Sequence, residues 1–144
     1  MIQNILKLRK CPIEYALYLG DDHYYPISGV VPYITIGNMM HLSNGENLPD
    51  EALTPLNERF SSYFGKNILF GGGTGWEGDG FLAFANKVKT ELLWLFHFPQ
   101  SEAFVSAKIE NDKVIAISEE YPNRFIFYIA IEDPKIIDIK VQEA

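Results

Sequence analysis

Between Cys11 and Glu58 the chain has no lysine and no arginine, although Glu14, Asp21, Asp22, Glu46, Asp50, Glu51 and Glu58 all lie there. Those seven charges equal the net charge of −7, because the other 12 acids are matched by 12 bases. A field of one sign attracts partners of the other and hastens their arrival. Outside Lys7 to Lys10 there is no basic cluster either, which argues against direct nucleic-acid binding. Cysteine is scarce too: Cys11 alone excludes an intrachain disulfide and fits a reducing compartment. No run approaches the ~18 apolar residues that span a bilayer. The opening Met-Ile-Gln-Asn-Ile-Leu-Lys-Leu-Arg-Lys has its charges after its apolar residues, the reverse of a secretory signal. A cytoplasmic location without membrane contact is the resulting expectation.

What is present suits a sheet. The 144 residues fit one domain, 1–144, long enough for a core without a metal or disulfide staple. Ten Phe and eight Tyr favour strands over helices. Phe81–Ala85 and Glu91–Phe98 are nearly continuous apolar runs, as strands covered on both faces would be. Ala103–Ile109 alternates, placing Val105, Ala107 and Ile109 on one face and Phe104, Ser106 and Lys108 on the other. Val114–Ser118 follows across Glu110-Asn111-Asp112-Lys113, where Asn and Asp tolerate the positive φ of a two-residue hairpin. Arg124–Ile131 and Lys135–Val141 complete the series. Short connections favour antiparallel neighbours, so these segments predict one curled antiparallel sheet ending in a C-terminal meander.

The N-terminal half is less regular. Glu14–Leu19 and Val31–Ile36 look like strands. Asp50–Tyr63 is the helix candidate: Leu53, Leu56, Phe60 and Phe64 fall at helical spacing, with Asp50 or Thr54 as cap. Pro55 sits deep for the first cap and fits the first helical position for the second. The expected fold class is therefore α+β, a single curled antiparallel sheet with one short helix.

Gly71–Gly80 holds six glycines in ten residues, and Gly73, Gly75 and Gly78 match the G-x-G-x-x-G spacing. That cradle needs a helix N-terminus next, whereas Phe81–Ala85 reads as a strand and Glu77 and Asp79 would repel phosphate. No Lys-Ser/Thr pair follows, so no P-loop exists and no cofactor is implied. Glycines here suit a wide turn or bulge beside a packed sheet, or a loop displaying Trp76, Glu77 and Asp79 to a partner. Glu77 and Asp79 also share a face and, with His97, make a candidate metal-assisted hydrolase site. Against that, a lone His in Trp94-Leu95-Phe96-His97-Phe98 is more simply a core residue. His23, His41 and His97 lack zinc-site spacing, and no serine sits in a nucleophile elbow. Cys11 beside Lys10 and Arg9 reads as a small, buried or half-buried thiol.

The base-free stretch carries five of the eight tyrosines, Tyr15, Tyr18, Tyr24, Tyr25 and Tyr33. Phenols give contact area with few rotors to freeze, and carboxylates complement a basic surface. The function expected is thus a protein-binding module, such as an acidic inhibitor or immunity-type protein masking a basic site on a partner enzyme. Asp21, Asp22, Tyr24 and Tyr25 would form one contact patch, with Trp76, Glu77 and Asp79 as a second. The alternative to contact is a solvated acidic face with tyrosines alternating into the core. A homo-oligomer pairing through an exposed sheet edge is the remaining class.

Overall fold

Alternating burial along β-branched and aromatic segments makes almost every described element a strand. The computed structural model describes Ile5 and residues 10–12, 15–20, 22–41, 53–75, 79–120 and 123–143. A large sheet is built from β1 (Lys10–Pro12), β2 (Ala16–Leu19), β3 (His23–Val30), β4 (Tyr33–Ile36), β5 (Met40–His41), β6 (Leu53–Phe64), β7 (Asn67–Thr74), β8 (Asp79–Asn86) and β9 (Leu92–His97). Its order is β1-β6-β7-β8-β9-β2-β3-β4, with β5 also on β3. A second sheet is the plain meander β10 (Phe104–Glu110), β11 (Lys113–Glu120), β12 (Asn123–Ala130) and β13 (Ile137–Glu143). All pairings are antiparallel.

This corrects the expected class twice. First, the Asp50–Tyr63 helix is not there: from Leu53 onward the segment is the 12-residue strand β6, and residues 50–52 lie outside the described residues. The apparent helical stripe has a different origin. Arg59 is an extra residue between Glu58↔Gly72 and Phe60↔Gly71, and this bulge reverses which face the side chains take. Leu56 packs into one core cluster while Phe60 and Phe64 pack into the other. Pro55 opposes Lys10 of the short strand β1, where its missing N–H is tolerated at the sheet's margin. No helix among the described residues is long and apolar enough to cross a membrane.

Second, there are two sheets, not one. After β9 the chain passes Phe98, Pro99 and Gln100, the last at φ 51, and re-emerges as β10 in a separate ladder. Leu17, Leu82, Trp94 and Phe96 of the large sheet meet Phe104, Phe125, Phe127 and Ile129 of the small one to form the main core. The opposite face of the large sheet gathers Ala16, Tyr18, Phe70, Phe81 and Leu95 with Ile5 and Cys11. Cys11 of β1 reaches His97 of β9 although three strands separate them in the ladder. Flat strands that far apart would stand about 19 Å from each other, so the large sheet is strongly curled.

The meander follows local sequence closely. Asn111 and Asp112 adopt φ 53 and 61, and Glu110 pairs with Lys113 across a two-residue turn. The phase within β10 differs from simple alternation. A shift between Phe104↔Ser118 and Ser106↔Ile117 makes Val105 the bulged residue. Phe104 consequently enters the core beside Ala107 and Ile109, and Val105 is exposed.

Candidate functional site

Gly71 and Gly72 of β7 are explained by packing. A Cβ on Gly72 would land on the Asn57 carbonyl oxygen at the β6 bulge, and one on Gly71 would meet the Phe60 ring at 2.9 Å. β7 leads into strand β8 rather than a helix, so the backbone forms no phosphate cradle. Thr74 and Asp79 face each other where the two strands part. Gly75 N–H donates to the Pro55 carbonyl at 3.0 Å, and Asn57 Nδ2 donates to the Gly75 carbonyl at 3.2 Å. The loop between them is thus held at its base. Trp76, Glu77 and Gly78 lie outside the described residues.

Below that base lies a polar cluster drawn from five segments. Tyr15 OH donates to Asp79 Oδ2 at 2.6 Å, and the Tyr15 ring lies 4.8 Å from that of His97. Thr74 Oγ1 donates to the Asp79 backbone carbonyl at 2.9 Å. Having spent its one proton, that hydroxyl accepts from His97 Nε2 at 3.1 Å, which assigns the hydrogen to Nε2. Nδ1 faces the Cys11 thiol at 3.9 Å. Burial pushes the thiol up to about 12, with its own backbone hydrogen bond opposing in part. Cys11 is a neutral S–H donor here, not a thiolate, so the Cys–His proximity joins strands. Of the hydrolase trio, Asp79 bonds to Tyr15, His97 contacts Thr74 and Cys11, and Glu77 lies outside the described residues. Among the described residues no group of three His, Cys, Asp or Glu could hold a metal ion.

The first-third contact residues are distributed. Tyr24 and Tyr25, successive on β3, point to opposite faces: Tyr24 packs in the cluster with Tyr18, Tyr25 against the main core. Lys135 Nζ sits 5.0 Å from the centre of the Tyr25 ring. Asp22 is half-buried at φ 65 in the β2–β3 turn, and Asp21 lies outside the described residues. Of the seven acids in the base-free stretch only Asp22 and Glu58 are described, and Glu58 pairs with Lys89.

A feature of the same strands went unnoticed in sequence. From His23 to Gly45 there is no charged residue of either sign. β4 and β5 lie on the same side of β3, opposite β2, and form the outer margin of the large sheet. On this corner Tyr33 is 85% exposed, Met39 56%, Met40 49% and Val30 46%. Margins of sheets ordinarily carry lysines or other charges that prevent pairing. The signal that could have found the corner is the missing acids, not only the missing bases. Compared with protein-family models, curated proteins and solved structures, the chain matches none.

Proposed function

We propose that this chain is a protein-binding module whose contact surface is the uncharged corner of β3, β4 and β5. One observation carries the reading: Tyr33, Met39, Met40 and Val30 are each exposed along a sheet margin whose own residues, 23–41, carry no charge. Tyr and Met are suited to contact surfaces because they offer large, adaptable area. Asp22 stands at the turn beside the His23↔His41 pair, so acid borders the apolar corner. With a net charge of −7, the favoured partner is basic, as for an inhibitor that masks a cationic site on an enzyme.

The test is capture from native lysate on the wild-type chain and on a Tyr33→Ala/Met39→Ser variant of equal melting temperature. A basic protein should be retained by the wild type at about 50 mM salt and released by about 500 mM. The variant should retain at least tenfold less. Retention that ignores both the salt and the substitutions would refute the reading.

A further inference from the structure

The sandwich is closed along one side and open along the other. β10 packs against β6, β7 and β8, whereas β4 and β13 end their respective ladders and are not hydrogen-bonded to each other. Between them runs a cleft of about 340 Å³, with Pro32, Ile34 and Ile36 on the β4 side, Ile137 and Ile139 on the β13 side, and the exposed Lys135 and Asp138. Its side chains are mostly aliphatic, yet much of what faces the opening is polar.

The ladder explains this. Ala130 N–H donates to the Ile136 carbonyl, and the register continues through Ile129↔Ile137 and Tyr128↔Asp138. Bonding alternates along an antiparallel pair, so Asp138, Lys140 and Gln142 face β12 through their backbone. Ile137, Ile139 and Val141 therefore turn N–H and C=O groups outward, along the open side. The cleft thus combines an aliphatic floor with a row of unfilled ladder positions. A compact small molecule would satisfy the floor but not the row. An extended peptide satisfies both, because alternate side chains drop onto the isoleucines while its backbone continues the small sheet.

Charge selects among extended segments. Glu132 and Asp133 precede β13 and Asp138 lies in it, three acids against Lys135 and Lys140, whose ammonium groups lie 5.0 and 5.3 Å from the ring centres of Tyr25 and Tyr128. A second copy, itself at −7, would be repelled as a whole. We propose that the cleft between β4 and β13 accepts an extended segment of a basic partner, aliphatic at alternate positions with Lys or Arg between them. This rests on the binding-module reading and supplies its partner's chemistry.

The probe is a capped octapeptide alternating Val and Lys, followed by anisotropy and by amide exchange of the wild-type chain. It should bind and slow exchange at Ile137, Ile139 and Val141 at least tenfold. A Val/Glu peptide, and a Val/Lys peptide N-methylated at alternate residues, should bind at least tenfold more weakly. Ile139→Asp, if folded, should lose the wild-type affinity; if it does not fold, the methylated peptide carries the same test. The inference falls if no peptide binds, or if methylation leaves affinity unchanged. It falls equally if those amides become protected by raising protein concentration alone, with a dimer in sedimentation, since a second copy would then fill the cleft. Failure here, alongside capture that still requires Tyr33 and Met39, removes the cleft and leaves the module reading intact.

Discussion

Cys11 and His97 are close enough to suggest a nucleophile and its base, and the chemistry of each atom decides otherwise. The thiol is fully buried, and its pKa rises from 9.0 to about 12 through loss of solvation. The folded chain therefore keeps a proton between those values that the unfolded chain gives up. This contribution to stability is whole below pH 9 and declines as pH climbs towards 12. Iodoacetamide at about pH 8 should leave the native thiol unmodified over hours and alkylate it promptly once urea unfolds the chain, as read by mass. Rapid labelling of the native protein would mean that the site opens to solvent. Neither partner was legible as part of a pair, because 86 residues separate them and only the curl of the sheet joins them.

At the scale of elements, two bulges account for much of what alternation alone missed. Arg59 and Val105 each insert one residue, and each changes which side chains reach the core. Strand periodicity is read in steps of two, so a single inserted residue makes a strand imitate a helix or inverts its faces. The Asn111-Asp112 turn needed only residues that tolerate positive φ, and they stand at the tip. Gly72 tests the β6 bulge directly. Gly72→Ala should cost about 3 kcal/mol or more in urea denaturation, since the new methyl meets backbone that cannot swing aside. Gly65→Ala serves as comparison: at φ +59 with nothing within 4 Å of a Cβ, it should cost only about 1 kcal/mol. Equal costs would show that conformation, not crowding, governs both sites.

Over the whole molecule, the division into two sheets was invisible in sequence because consecutive strands look alike whichever ladder they join. What separates them is the passage through Phe98, Pro99 and Gln100, too short to stand out as a linker. Tyr24 and Tyr25 show the same limit, since neighbours on a strand face opposite ways. Burial ranks the strands for opening. β8 and β9 are paired on both flanks and covered on both faces, whereas β13 has an open flank and half-exposed residues. Native-state exchange should therefore be slowest at Leu82, Ala83 and Leu95 and at least a hundredfold faster at Lys140 and Gln142, whose amides bond to β12. The reverse ranking would mean that the small sheet, not the large one, is the stable unit.

The ladder order has a consequence for biosynthesis. β2 pairs with β3 at once, but its other neighbour is β9, with Ala16 against His97. A ribosome therefore releases β2 and β3 long before residues 92–97 emerge to dock beside them. Until then a tyrosine-rich hairpin whose strands carry no charge waits with its inner flank bare, the stage at which a nascent chain is most exposed to wrong partners. The four strands that follow close on one another as they appear, so the late-made part of the molecule is the quicker to take shape.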